Sequence, residues 1–188
     1  MDLATLFTKI LAWSTLLGNI FTVLILFAHV AMKGTFRTIS EFMSKHALRL
    51  GFLISFAATF GSIAYAQVTG YPACILCWIQ RIFMYPEVAL FGLALWRGDR
   101  KVLPYAFFLA VLGGGVAFYN WVKDMLALYT HFSLACPVVP GLPSCDRIYV
   151  DEFGYITIAM LALNAFILIA IVAYSAMRID NKSVHGSR

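Results

Sequence analysis

Charge is scarce in this sequence, and its scarcity excludes most classes of soluble protein. Lysine, arginine, aspartate and glutamate make up only 12% of the 188 residues, whereas 62% are hydrophobic. Soluble domains are usually about half apolar and about a quarter charged, because a chain of this length cannot bury much more apolar surface. The formal net charge of +5 does not indicate nucleic-acid binding, because the basic residues lie between apolar segments. The composition predicts an integral membrane protein in a lipid bilayer.

Acidic and basic side chains are absent or rare in five long segments. Residues 10–32 contain no aspartate, glutamate, lysine or arginine, and the segment is long enough to cross about 30 Å of hydrocarbon. The other four candidate spans are residues 50–69, 73–96, 102–122 and 153–177. Backbone polar groups must be paired internally in lipid, so we expect each span to be a helix. The sequence therefore predicts an all-α membrane protein with five spans.

The distribution of basic residues predicts how the spans are oriented. Of the 14 lysines and arginines, ten lie in residues 33–49, 97–101 and 178–188, and three (Lys9, Lys123 and Arg147) lie at the opposite ends of the spans. Cytoplasmic loops carry the excess of basic residues, so we expect the N-terminus outside and the C-terminus inside. All four cysteines then lie on the outer side, where disulfides persist.

A Cys-x-x-Cys motif opens the third predicted span, in the stretch Cys74-Ile-Leu-Cys77-Trp-Ile-Gln-Arg81. On a continuous helix, Cys74, Cys77 and Arg81 would share one face. Tyr71-Pro72 just before the motif is compatible with the start of a helix. A helix N-terminus and a nearby cation lower the pKa of a thiol, and the thiolate is the nucleophile of disulfide exchange. The motif favours a redox-active dithiol over half of a zinc site or two inert buried cysteines, and both alternatives stay open.

A second cysteine pair lies in the long loop predicted over residues 123–152. Cys136 and Cys145 are separated by a segment with three prolines and a glycine, which excludes a continuous helix there. The short separation allows the two cysteines to close a disulfide. Such a disulfide could be a static link within the loop, or it could exchange with the Cys-x-x-Cys motif on the same side of the membrane.

Charges and glycines inside the spans carry further expectations. Pro86 is expected to kink the third span. Glu87 lies about 120° around the helix from Arg81, so we do not expect an ion pair between them. The triple glycine at 113–115 permits close approach of a neighbouring helix in lipid.

The sequence resembles the DsbB/BdbC family of disulfide bond formation proteins. The resemblance rests on Cys74-x-x-Cys77-Trp-x-Gln-Arg81-Ile-Phe-Met-Tyr-Pro86, on the later loop pair, and on Phe153-Gly-Tyr-Ile-Thr-Ile158 followed by Ala162-Leu163. The related vitamin K epoxide reductases place the motif after the loop cysteines, so the order favours DsbB. The resemblance implies a four-helix transmembrane bundle over residues 50–178, preceded by an additional helix and cytoplasmic link (1–49) and followed by a cytoplasmic tail (179–188).

The function that the resemblance implies is reoxidation of a periplasmic DsbA-like thioredoxin-fold protein at the bacterial inner membrane. Electrons would pass through Cys136 and Cys145 to Cys74 and Cys77 and then to a membrane quinone, either ubiquinone or menaquinone. Cys136 would form the mixed disulfide with the partner, Cys145 would exchange with Cys74, and Cys77 would face the quinone as a thiolate. No metal is expected.

Arg81 matches the family's arginine beside the quinone head group, and Gln80 stands where some relatives carry an acid. His131 lies in the loop where some relatives carry a histidine near the quinone. Two other functions remain possible: the same path run in the reductive direction, or a non-enzymatic membrane subunit with structural disulfides or zinc. The additional helix could be an anchor or a surface for another membrane subunit.

Overall fold

The computed structural model describes residues 3–31, 33–70, 72–130, 132, 134–136, 140–145 and 148–185. These residues form α-helices joined by short links, and within them no β-strand occurs beyond an isolated bridge between Glu152 and Ile156. The elements are α1 (Leu3–Ala31), α2 (Lys33–Lys45), α3 (Ala47–Thr69), α4 (Ile75–Arg97), a 3-10 turn (Arg100–Val102), α5 (Leu103–Thr130) and α6 (Ile158–His185). The predicted all-α class is confirmed. Tyr71, His131 and Arg147, which the sequence analysis singled out, lie outside the described residues.

Among the described residues, three helical segments are long and apolar enough to cross a membrane: Ala47–Thr69, Arg100–Thr130 and Ile158–Asn181. The N-terminal helix contributes a shorter apolar stretch, Thr8–Leu24. Helix α4 has 23 residues, the same length as α3, and it carries Arg81 and Glu87 within its length. The three segments indicate a multi-pass membrane protein, whereas five spans and an outer N-terminus stay predictions.

Helices α3 to α6 pack into a bundle in which small residues allow close contact. A side chain at Gly113 would collide with the ring of Phe166, and one at Gly51 would collide with the ring of Phe91. Of the three consecutive glycines, Gly113 therefore makes the close approach between α5 and α6, whereas Gly115 faces open space. The chain continues as helix through Pro86.

The N-terminal helix α1 packs against α2, α3 and α6. Asn164 of α6 donates a hydrogen bond to the backbone oxygen of Thr15 at 3.1 Å and another to the side-chain oxygen of Asn19. Gly18 lies against the same asparagine, with too little room for a larger residue. These polar contacts hold α1 at a defined position against α6.

The basic segments meet at one end of the bundle. The guanidinium of Arg100 donates to both carboxylate oxygens of Asp180 at 3.0 and 3.1 Å, and to the backbone oxygen of Ser44 at 2.8 Å. These bonds tie the α4–α5 link to α2 and to the end of α6. The cysteines lie near the opposite end, because Cys74 precedes the first residue of α4.

Three predicted boundaries are wrong. Helix α5 continues to Thr130, beyond the predicted loop start at residue 123, because Lys123 and Asp124 form an ion pair that lets both charges remain in the helix. Helix α6 begins at Ile158 and not at residue 153, because Phe153 and Gly154 adopt positive φ angles of 55° and 75°. Residues 33–45, predicted as a polar link, form helix α2.

Candidate redox site

Cys74 lies at the amino end of α4 and caps the helix. Its backbone is extended, with φ −72° and ψ 171°, and its sulfur accepts a hydrogen bond from the backbone N–H of Cys77 at 3.4 Å. The Cys74 and Cys77 sulfurs lie 3.0 Å apart. The expectation that Cys74 occupies the helical face of Arg81 is therefore wrong in detail, since Cys74 precedes the helix. The cap position instead directs the first unpaired backbone N–H groups of α4 at the sulfur.

This position lowers the pKa of Cys74 to about 6, chiefly through the hydrogen bond from the Cys77 side chain. The backbone N–H groups of Cys77 and Leu76 and the charge of Lys123 act in the same direction, whereas burial opposes them. The backbone N–H groups at the start of α4 therefore favour a thiolate at Cys74 in the reduced pair. The thiolate at Cys77 that the resemblance implied stays a prediction.

Arg81 lies in α4, and α3 holds its side chain in place. Its guanidinium donates to the side-chain oxygen of Ser62 at 3.0 Å and to the backbone oxygen of the same residue at 3.2 Å. The guanidinium carbon also lies 5.1 Å from the ring centroid of Trp78, within the range of a cation–π contact. Glu87 is fully buried, and neither of its oxygens has a partner among the described residues. As expected, Arg81 and Glu87 do not form an ion pair.

Sequence reasoning missed Lys123 as a site residue. The lysine is 1% exposed, and its ammonium lies 3.1 Å from a carboxylate oxygen of Asp124. It also donates a hydrogen bond to the backbone oxygen of Cys145. The sequence predicts Lys123 as a basic residue of the outer loop. No signal in the sequence pairs Lys123 with Cys145, which lies 22 positions further along the chain.

The loop cysteines Cys136 and Cys145 form a disulfide with a Cα–Cα distance of 6.1 Å. Cys145 is buried and Cys136 is partly exposed. Two hydrogen bonds from α5 hold the segments around both cysteines. The Lys123 ammonium donates to the backbone oxygen of Cys145, and the Tyr119 hydroxyl donates to the backbone oxygen of Ala135 at 2.6 Å. The more accessible cysteine is thus at the surface, and the buried one faces the bundle interior.

A cavity of about 410 Å³ connects these groups. Both cysteines of the motif, Cys145 and Arg81 line it. Gln80 also lines it, is 5% exposed, and its side-chain nitrogen has no hydrogen-bond partner among the described residues. Along α6 the lining runs from residue 158 to residue 168, which is about 15 Å of helix. The structure therefore brings together five of the six predicted site residues in one elongated cavity, whereas Cys136 is not part of the lining.

The zinc alternative has little support in this arrangement. Cys136 and Cys145 are joined to each other, so their sulfurs are not free thiolate ligands in this state. Across the described ranges, no group of three or more histidine, cysteine, aspartate or glutamate residues is placed to bind a metal ion.

Comparison with known proteins identifies the family. The family model described as "Disulfide bond formation protein DsbB" matches residues 44–176. The chain belongs to the DsbB family. The match covers α3 to α6, including all four cysteines, and leaves α1 and most of α2 outside it.

Curated relatives of this DsbB-family chain carry names that refer to disulfide formation. "Probable disulfide formation protein C 1" of Bacillus anthracis is 34% identical over 138 residues, which cover 73% of this chain and 96% of the relative. "Disulfide bond formation protein C" of Bacillus subtilis is 36% identical over 124 residues, covering 66% and 87%. "Probable disulfide formation protein" of Coxiella burnetii is 32% identical over 132 residues, covering 70% and 88%. No solved structure matches the chain.

Membership in this family indicates that the protein is a membrane thiol oxidoreductase that acts in disulfide bond formation.

Proposed function

We propose that this protein reoxidises a periplasmic DsbA-like thioredoxin-fold dithiol and passes the electrons to a membrane quinone. The observation that carries the proposal is the shared cavity, because Cys145 of the loop disulfide and both cysteines of the motif line it together. Two dithiols that reach the same space can exchange electrons through thiolate attack on a disulfide. A static loop disulfide would not require this position.

The first exchange takes place at the loop disulfide. A thiolate of the partner attacks the sulfur of Cys136, which is the more exposed of the two, and Cys145 leaves as a thiolate. The second partner thiol then attacks the mixed disulfide and releases Cys136. The partner is thereby oxidised to a disulfide, and the loop pair gains two electrons and two protons.

The second exchange moves the electrons to the motif. With Cys74 and Cys77 joined as a disulfide, the Cys145 thiolate attacks Cys74, and Cys77 leaves. Cys136 then attacks Cys145, so the loop disulfide forms again and the motif becomes a dithiol. The pairing of Cys136 with Cys145, beside two free motif cysteines, is compatible with the end of this exchange.

The cavity fits a quinone with an apolar tail. Gln80 offers an unpaired buried N–H donor and Arg81 offers a fixed cation. Alanine is the commonest residue in the rest of the lining, which is largely apolar and also includes serine, threonine and asparagine side chains. A bound quinone would supply an acceptor for two electrons and two protons from the dithiol. In a low-dielectric site the charge of Arg81 stabilises negative charge that develops nearby, and its bonds to Ser62 keep it in position without reorganisation.

The names of the relatives favour the oxidative direction, since each refers to disulfide formation. In the inner membrane this direction requires the loop disulfide to face the periplasm, where the partner resides. The excess of lysine and arginine in residues 33–49, 97–101 and 178–188, which belong to the opposite end of the bundle, supports that orientation through the positive-inside rule.

The sulfur exchanges can be tested with a thioredoxin-fold partner that retains only its attacking cysteine. This partner cannot complete the first exchange, so a mixed disulfide should accumulate on the wild-type protein. Peptide mapping is expected to place it at Cys136. Mapping to Cys145 would contradict the proposed order, and the Cys136→Ser variant is the matched control, because it should form no mixed disulfide with this partner.

A further inference from the structure

The N-terminal helix α1 forms part of the cavity wall although it lies outside the family match. It contributes residues from about three turns of helix, and two of them, Ala12 and Thr15, are only 2% and 6% exposed. The α1 residues that line the cavity are Thr8, Leu11, Ala12, Ser14, Thr15 and Gly18. A helix that served only as an anchor would not need to contribute to this surface.

The position of α1 is set by contacts on both sides of the cavity. On the α6 side, Asn164 donates to the backbone of Thr15, and Gly18 allows the two helices to approach. On the α3 side, the Leu11 side chain lies in van der Waals range of the position that a Cβ at Gly61, the residue before Ser62, would occupy. Because Ser62 holds the guanidinium of Arg81, α1 reaches the level of the arginine.

The opposite face of α1 is apolar and exposed. Trp13, Leu17 and Phe21 are each more than half exposed, as expected for side chains that face lipid. The helix therefore separates the cavity from the surrounding bilayer along the groove between α3 and α6. A ligand that moves within the bilayer and reaches Arg81 from this side must pass α1.

We propose that α1 completes the quinone site, with Ala12 and Thr15 in contact with the bound quinone. This inference rests on the proposed function, and it assigns a role to a segment that the family match does not include. A larger side chain at Ala12 would occupy space that the ligand needs. An equal enlargement on the lipid-facing side of the same helix would leave the cavity unchanged.

The test compares Ala12→Phe with Leu17→Phe in the full-length protein in lipid nanodiscs. The readout is the equilibrium dissociation constant of decyl-ubiquinone, which requires no turnover. We expect Ala12→Phe to weaken binding by about tenfold, the size of an overpacking penalty in a filled site, and Leu17→Phe to match the wild type. A single-turnover exchange between the partner and the motif should proceed at the wild-type rate in the control variant Leu17→Phe.

A second measurement uses the wild-type chain and does not depend on how the variants fold. A photoreactive azido-quinone is expected to label a peptide of α1 as well as peptides of α3 or α6. Labelling without any product in α1, or unchanged affinity in folded Ala12→Phe, would overturn this inference while leaving the proposed function in place. Absence of quinone binding by the wild type would overturn both.

Discussion

Replacing Lys123 with methionine tests how the two dithiols are held together, and it leaves all four cysteines in place. The lysine is 1% exposed and lies 3.1 Å from the Asp124 carboxylate. Removing one partner of a buried ion pair costs about 3–5 kcal/mol, because the remaining charge is left without compensation. We expect Lys123→Met to reduce the free energy of unfolding by an amount in that range, measured by denaturant titration in detergent.

The double variant Lys123→Met/Asp124→Leu separates the loss of charge balance from the loss of positioning. Apolar replacement of a whole buried pair is often close to neutral, so the double variant should recover most of the lost stability. It still lacks the donor that binds the backbone oxygen of Cys145. A hydrogen bond from a charged group contributes about 1.5–3 kcal/mol, so exchange between the loop pair and the motif should be at least about tenfold slower.

Two results would refute this reasoning. Wild-type resistance of Lys123→Met to denaturant would show that the buried pair contributes nothing to stability. A wild-type exchange rate in the double variant, measured by stopped flow with a reduced partner and without quinone, would show that Lys123 does not position Cys145.

Three further predictions concern reactivity, the cation and topology. Because the pKa of Cys74 is lowered to about 6, the rate of alkylation at Cys74 in the reduced protein should be half-maximal near that pH, with the thiolate present above it and lost below it. Cys77→Ala removes the side-chain hydrogen bond that lowers this pKa most, so it should move the midpoint upward. An unmoved midpoint would show that this hydrogen bond does not lower the pKa. Arg81→Met should lose most quinone-dependent turnover, whereas Arg81→Lys should keep the maximal rate better than the apparent quinone affinity; a wild-type quinone dependence in Arg81→Met would make the arginine an interfacial anchor only. After reduction of intact cells, an impermeant thiol reagent should label Cys136, whereas Gly98→Cys should react only once the membrane is opened; labelling of Gly98→Cys from outside would reverse the orientation.

Apolar runs and the cysteine pattern made the helical class and the candidate dithiols predictable from the sequence. Local spacing could not show that Cys74 caps α4, since a helical-face argument assumes that the helix has already begun. Lys123 was assigned to a loop because a lysine next to an aspartate normally ends a membrane span. Its partner at Cys145 is distant in sequence, and only the folded chain brings the two together.

The contribution of α1 to the cavity also could not be predicted from the sequence. Its residues are ordinary membrane-helix residues, and nothing in their order indicates which face meets α3 and α6. The contact between Thr15 and Asn164 joins residues 149 positions apart, a separation at which a single sequence carries no pairing signal. The buried position of Gln80 followed only from the packing of α4 within the bundle.

The coupling of partner oxidation to quinone reduction tests the central claim most directly. Purified protein in nanodiscs would receive a reduced thioredoxin-fold partner and decyl-ubiquinone, with partner thiols and quinone absorbance followed in the same reaction. The electron path predicts one quinone reduced for each partner disulfide formed over many turnovers. In Cys77→Ser it predicts no quinone reduction, and no partner oxidation beyond the single equivalent that the loop disulfide supplies. Repeated partner oxidation without quinone consumption, or quinone reduction that persists in Cys77→Ser, would contradict it.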